Sequence, residues 1–302
     1  MFNLREAVVP RFGSGALVEF DFSQIEVYAL AILSGDKTLQ NDLLSGIDLH
    51  RTRAAMWLKK DPSKVTPEER RKAKVMTFQL QYGSGAANMA RSLNIPQTEA
   101  VEFIYAYYKR YPEIARMHAL YTKEILETSD YTDGDKSSRG IPCRRGILTM
   151  AWGKVYTFIE CDIPWRPGDV DFSPTEIANY PVQGLAMDIM HIFLAQLGPL
   201  LAKYPKILLV NAVHDSVLFD VPITEIPTLT ENIVLPALQA VPLIFKQKLD
   251  FDLGMPILMD GAVGMPSWDD MHPLVRLSST EGITDKRVYA ENLSLTQDKL
   301  LL

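Results

Sequence analysis

Two aspartates and one helical stripe are the residues whose types and spacing could do chemistry. Asp21 closes a short apolar run, Ala16-Leu-Val-Glu-Phe-Asp21, and Asp215 lies between two apolar runs at 207–213 and 216–221. A carboxylate at the end of a buried strand is held rigidly, which a metal ligand needs and a solvated turn residue does not. The turn His214-Asp215 contains no glycine, although tight two-residue hairpins demand positive φ and favour Asn-Gly, Asp-Gly or Gly-X. A turn built against propensity points to residues chosen for function.

The stripe is Arg70, Lys74, Phe78 and Tyr82, spaced every four residues. On a helix rising ~1.5 Å per residue, each step advances about 6 Å along one slowly drifting face. Two cations followed by two aromatic rings match the order of a nucleotide: phosphates, then sugar and base, then the templating side. Cations near a helix start oppose its positive end, so a phosphate ligand is a natural compensation.

Rigid elements must carry these groups. Gly13-Ser-Gly15 punctuates the first run, which reads as a strand over 16–21. Ser23 reads as the N-cap of a helix through Ile32, with Gly35 just past its end, and Ser23-Gln-Ile-Glu26 has the form of a capping box. A long helix is expected from Thr66-Pro67-Glu68 to Tyr82, then helices near 98–110 and 112–126. Residues 128–172 are rich in glycine, proline and turn formers, with short strand-like pieces such as 154–158. A helix over 173–197 precedes the strand pair 207–213 and 216–221, and residues 275–302 read as a polar, irregular tail. Strands at both ends with helices inserted between them make an α+β chain.

The 302 residues are 47% apolar and 23% charged, the balance of a globular protein that can bury a core. No uninterrupted apolar run approaches the ~18–20 residues that span a bilayer, and MFNLREAVVP lacks the apolar core of a signal peptide, so no membrane partner and a cytoplasmic location are expected. Cys143 and Cys161 are too few for a disulfide scaffold or a cysteine zinc site. The net charge of −6 argues, taken alone, against nucleic-acid binding. Its distribution matters more: cations crowd residues 51–74, and 136–154 holds five cations and no acid.

Asp21-Phe-Ser-Gln-Ile-Glu26, then Arg70-xxx-Lys74-xxx-Phe78-xxx-Tyr82-Gly83, then Val213-His-Asp215 resemble, in order, the three polymerase motifs of the family A DNA polymerases. Asp48-Leu-His50 and Asn179-Tyr-Pro-Val-Gln183-Gly184 agree, and the wording of 173–183 is similar to bacteriophage members. The resemblance covers residues 3–273. It implies a right-hand polymerase with an antiparallel palm sheet and a helical fingers insertion: palm at 1–50, fingers helices at 51–127, an irregular connection at 128–172, palm again at 173–273 and a tail at 274–302.

The same resemblance implies roles. Asp21, Asp215 and the backbone carbonyl of Phe22 would hold two Mg²⁺ ions, with Mn²⁺ as a substitute, for a two-metal transfer of dNTPs onto a primer 3′-hydroxyl. Arg70, Lys74 and His50 would grip the triphosphate, Lys74 also serving the leaving group. Gln24 and Glu26 would line the dNTP site, Glu26 crowding the 2′ position and favouring DNA over RNA. Phe78 would pack on the incoming nucleotide and Tyr82 near the templating base. His214 would touch the primer terminus; Asn179 and Gln183 would meet primer-template DNA in the minor groove. Departures from the family pattern are Tyr28, Gln79, Thr175 and Ser216, none of which removes a metal ligand.

Twenty residues precede Asp21, where the family carries a helical thumb and an exonuclease-like domain. The expectation is a split, phage-type polymerase with thumb and 3′–5′ exonuclease on a separate chain. The alternatives are a non-catalytic palm remnant serving assembly, and an RNA or reverse-transcribing polymerase. Intact Asp21, Asp215, Arg70 and Lys74 argue against the remnant, and Glu26 and Phe78 against the other polymerases.

Overall fold

A computed structural model describes residues 4–163 and 166–298. In chain order, β1 (Gly15–Phe22) leads to α1 (Ile25–Ser34), α2 (Lys37–Leu44), α3 (Leu49–Leu58), α4 (Pro67–Gln81), α5 (Ala86–Leu93), α6 (Gln97–Arg110) and α7 (Pro112–Glu127). Next come β2 (Asp130–Lys136), β3 (Pro142–Thr149), β4 (Val155–Ile159), β5 (Cys161–Asp162), β6 (Val170–Asp171) and α8 (Pro174–Leu201). The hairpin β7 (Leu208–Val213) and β8 (Ser216–Pro222), then α9 (Leu235–Lys248), β9 (Leu258–Gly264), β10 (Met271–Ser278), β11 (Gly282–Ile283) and α10 (Lys286–Asp298) complete it. Contacts divide the chain into two compact units, Met1–Val27 with Leu185–Leu302, and Tyr28–Gly184.

The first unit is built on a six-stranded sheet in the order β11-β10-β9-β1-β8-β7, with antiparallel neighbours. β1 is interior to it, and Ala16, Leu17, Val18, Phe20 and Phe22 are all buried, which is why its sequence reads as a nearly continuous apolar run rather than an alternating one. Phe22 meets Phe193 of α8 edge-on at 5.3 Å, and Phe20 meets Phe219 of β8 at 6.2 Å. α8 and the stretch Thr228–Lys248, a π-helical segment running into α9, are long and apolar enough to cross a membrane by length and composition. Ile189, Phe193 and Leu197 of α8, and Leu238, Val241 and Phe245 of α9, are nevertheless buried within the protein.

The second unit is mainly helical. α4 starts as its sequence suggests: Thr66 caps it by accepting from the Glu69 amide, and the Glu69 carboxylate returns to the Thr66 amide. Lys60 pairs with Glu69 and Lys72 with Glu68, offsetting cations placed against the helix dipole. Asp42 of α2 accepts from Arg110 of α6 at 2.7 Å and from the Tyr111 hydroxyl at 2.8 Å, clamping α2 to the end of α6. Gly35 follows α1 at φ +65 and donates to the Ala31 carbonyl, as its place after the helix predicts.

Three stretches differ from their sequence reading. Residues 128–172 are not irregular throughout: β2, β3 and β4 form a three-stranded sheet, with Cys143, Leu148 and Phe158 buried beneath it. Residues 274–302 are not a loose tail over their described part, because β10 joins the six-stranded sheet and buries Leu274 and Leu277. Ser23 is not a helix cap. Its amide donates to the Leu258 carbonyl at 2.9 Å and its hydroxyl to Asp260 at 2.5 Å, so β9 claims both groups, and α1 starts two residues later.

Gly83 ends α4 at φ +73, and a Cβ added there would lie 2.5 Å from Thr175 Cα at the start of α8. Gly35 has the same kind of φ but open space around it. Gly35→Ala should cost about 1 kcal/mol, the ordinary left-handed penalty. Gly83→Ala should cost a further ~1–3 kcal/mol for the clash with backbone. Urea melts of the two variants check this, and equal losses would show that the α4–α8 approach is not tight.

Candidate active site

The pairing of β1 with β8 sets Asp21 opposite Ser216, so the hairpin turn His214-Asp215 lies beside the end of β1. The Phe22 amide donates to the Asp215 carbonyl at 3.0 Å, which locks the two carboxylate-bearing segments together. The turn has the strain its sequence implies: His214 sits at φ +54. Gln24 is a second non-glycine residue in this region of the map, at φ +52, and its carbonyl accepts from the Val27 amide in the first turn of α1. Unfavourable backbone therefore occurs just beyond one aspartate and just before the other, a pattern associated with functional sites. Glu26 lies in the first turn of α1, half-buried.

The electrostatics are those of crowded carboxylates. Asp21 is pushed up to about 7, first by partial desolvation and then by the negative charges of Asp215, Glu19 and Asp260. Asp21 is nevertheless exposed to solvent. Asp260 of β9 stands opposite Asp21 across the strand pair. Burial acts to raise its pKa, but hydrogen bonds from Arg276 and Ser23 outweigh that and hold it below the usual carboxylate range. Glu19 accepts from Ser216 Oγ at 3.2 Å and from the Trp268 indole at 3.3 Å.

The second unit carries a cationic and aromatic cluster. Asp48 caps α3 by accepting from the Arg51 amide, and its other oxygen accepts from Arg70 Nε at 2.5 Å. The Lys74 ammonium lies 5.6 Å from the centre of the Phe78 ring, whose other neighbour, the His50 imidazole, is 5.9 Å away. His50 is pushed down to about 4, first by burial and then by the positive charges of Arg53, Arg70 and Lys74. At neutral pH it is an uncharged imidazole among cations, and its buried Nδ1 has no hydrogen-bond partner. Tyr82 is the last residue of the stripe and caps α4.

On α8, Asn179 and Gln183 are four residues apart and half-buried. β4 and the residue before it set this part of the helix: Lys154 Nζ donates to the Gly184 carbonyl at 3.2 Å, and Phe158 of β4 stacks on Tyr180 at 5.9 Å. Gln79, which departs from the family pattern, donates to Ser92 of α5, while Thr175 packs on Gly83.

The structure thus brings together Asp21, Phe22 and Asp215 in one unit, and His50, Arg70, Lys74 and Phe78 in the other. Sequence reasoning missed Asp260 and Ser23 beside the carboxylates, and the fully buried Arg53, whose guanidinium lies 5.4 Å and 5.5 Å from the Tyr107 and Tyr111 rings. An acid inside the apolar run Ile257-Leu-Met-Asp260 was the available signal for the first. Among the described residues, no group of three or more His, Cys, Asp or Glu is arranged to hold a metal ion. Two carboxylates and a backbone carbonyl still suit a hard cation such as Mg²⁺, which keeps several waters and takes its remaining oxygens from phosphates.

The family model for DNA polymerase family A matches residues 1–270. This chain belongs to DNA polymerase family A. Among its relatives, DNA polymerase I of Deinococcus radiodurans is 28% identical over 261 residues, 84% of this chain and 23% of that protein. The thermostable DNA polymerase I of Thermus thermophilus is 33% identical over 221 residues, 73% of this chain and 24% of that protein. The chain therefore spans about a quarter of the length of these relatives. The POL domain of Pol1 from M. smegmatis, solved with DNA primer-template and dNTP, shares the fold with a TM-score of 0.64 at 24% identity, over 88% of this chain and 42% of that one. Membership of the family makes the strained, carboxylate-crowded end of β1 the natural place to test for metal.

A carboxyl that titrates near 7 in the folded protein and near 3.8 when unfolded keeps its proton in the fold through that interval. Stability of the metal-free protein should then fall as pH rises from about 4 to 7 on this account. Asp21→Asn should raise the melting temperature at pH 8 without metal and lose that advantage near pH 4, as calorimetry would show. A lower melting temperature for the variant at pH 8 would mean that the Asp21 carboxylate stabilises the fold more than its crowding costs. For His50 the sign is opposite: its pKa is depressed, so its contribution to stability is present above its ordinary 6.5 and lost as pH falls towards about 4. An NMR titration should show no His50 inflection above pH 5.

Proposed function

We propose that this chain is the palm and fingers of a template-directed DNA polymerase, adding dNTPs to a primer 3′-hydroxyl by nucleotidyl transfer. The observation that carries the proposal is the hydrogen-bonded junction of Asp21-Phe22 with Asp215, in a chain whose family match runs through both motifs. The M. smegmatis structure holds primer-template and dNTP, and we extend those ligand classes to this chain.

The residues divide the work. Asp21, Asp215 and the Phe22 carbonyl would hold two Mg²⁺ ions, or Mn²⁺ in their place. Bound metal would supply activation of the 3′-hydroxyl and neutralisation of the leaving pyrophosphate. Lys74 and Arg70 would bind triphosphate oxygens, Arg70 aimed by Asp48. Neutral His50 would donate a hydrogen bond rather than a charge. Phe78 and Tyr82 would stack on or beside the new base pair. Gln24 and Glu26, at the head of α1, would line the sugar side, with Glu26 excluding a 2′-hydroxyl. His214 would meet the primer terminus, and Asn179 and Gln183 the duplex minor groove.

Primer extension with Mg²⁺ and labelled dNTPs tests the reading. Asp215→Ala should lower the rate about 10³-fold or more, the scale of lost metal stabilisation of a phosphoryl transition state. Lys74→Ala should cost about 10²-fold in kcat, with little change in primer-template affinity. Glu26→Ala should let ribonucleotides in; their ready use by the wild type would remove that role. Extension by the chain alone would make it self-sufficient, and extension only on adding a thumb-bearing chain would support the split arrangement. Extension that survives Asp215→Ala would sink the proposal.

A further inference from the structure

Asp21 belongs to a row of side chains that crosses four strands. Ser216 of β8, Asp21 of β1, Asp260 of β9 and Arg276 of β10 are successive register partners. The last member lies outside the family match, which ends at residue 270. β10 is nevertheless an integral strand: its Leu274 carbonyl accepts from Asn292 of α10 at 3.1 Å, and Leu274 and Leu277 are fully buried.

A bulge decides which residue of β10 meets Asp260. Register runs Pro273 to Ala262, then slips so that Val275 meets Gly261 and Arg276 meets Asp260. Without the slip Val275 would face Asp260, so the extra residue re-aims the strand, a common use of bulges beside functional sites. Arg276 then grips Asp260 with two donors, Nε to Oδ1 at 2.7 Å and Nη2 to Oδ2 at 3.0 Å. Asp260 Oδ2 also accepts from Ser23 Oγ at 2.5 Å. Ser23 follows directly on Asp21 and Phe22.

We propose that Arg276 is a positioning residue for the metal-binding end of β1: it neutralises Asp260, keeps that carboxylate out of the ligand set, and through Ser23 holds the Asp21-Phe22 segment in place. The inference rests on the metal-binding role proposed above for Asp21 and Asp215. An unpaired Asp260 would add a free acid to Asp21, Asp215 and Glu19, able to draw a cation one strand, ~5 Å, away from its working place.

Equilibrium Mn²⁺ binding to the whole chain, followed by the electron paramagnetic resonance of the free ion, tests this through a charge cycle. Arg276→Gln exposes the Asp260 charge and should tighten Mn²⁺ binding about threefold, while slowing primer extension about tenfold in kcat. Loss of folding would weaken both, so the opposed signs separate the two causes. Asp260→Asn leaves Arg276 uncompensated and should weaken Mn²⁺ about threefold, although its amide oxygen still accepts from Ser23. The double variant should return to the wild-type affinity and rate. Arg276→Lys should stay within twofold of wild type in both. If Arg276→Gln fails to fold, weaker binding by Asp260→Asn carries the test, and unchanged binding there overturns the proposal. A wild type that binds Mn²⁺ while the cycle is flat overturns the role of Arg276 alone. A wild type that binds none removes the metal centre, and this inference with it.

Discussion

Like charge brought together by strand pairing is the constraint around which the first unit is organised. Asp21 is the last residue but one of β1 and Asp215 the last residue of the turn into β8, and neither can retreat while Phe20, Phe22, Val217 and Phe219 stay buried. Hydrophobic burial is worth about 1.5–3 kcal/mol per large side chain, so the sheet can hold acids in a repulsive arrangement at its margin. Desolvation first, and then this repulsion, push the Asp21 carboxyl up to about 7. On the function proposed above, this crowding would preorganise the site for a cation, because the protein has already brought the charges together.

The second unit solves the mirror-image problem. Arg53 is buried between two tyrosine rings, and Arg70 and Lys74 are near enough to depress His50. Positive charge is thereby gathered on one side of α3 and α4, with Asp48 the acid that steadies Arg70. Aromatic faces stand in for counter-ions at Arg53, a weaker compensation than a carboxylate and one that leaves the positive field in place. One unit thus collects the acids that suit a metal ion and the other the cations that suit phosphates, which is why the net charge of −6 says little about affinity for nucleic acid.

Of the helical stripe, Lys74 and Phe78 meet through one local geometry, the ammonium lying 5.6 Å from the ring centre, while Arg70 turns to Asp48. An i, i+4 relation on a helix needs no long-range information. The same holds for the helix start at Thr66-Pro67, for Gly35 after α1 and for positive φ in the glycine-free turn at His214. Ser23 shows the limit of such reasoning. Its sequence context is that of a cap, but a strand more than 230 residues away, bearing Leu258 and Asp260, takes its amide and hydroxyl. The described parts of 128–172 and 274–302 depart from their local pattern for a related reason: their strands are short or polar on one face, and only pairing with neighbours makes them strands.

The sequence by itself determined the α+β class, the family and the order of its motifs, because these reside in apolar periodicity, turn chemistry and local spacing. Tertiary structure alone decided that Asp260 stands across from Asp21, that a one-residue bulge sets Arg276 against Asp260, and that Arg53 lies caged beside His50. Those pairings depend on strand register and on packing between distant segments. Register is a relation between two strands and cannot be read from one segment alone, and a slip of one residue turns every side chain to the other face.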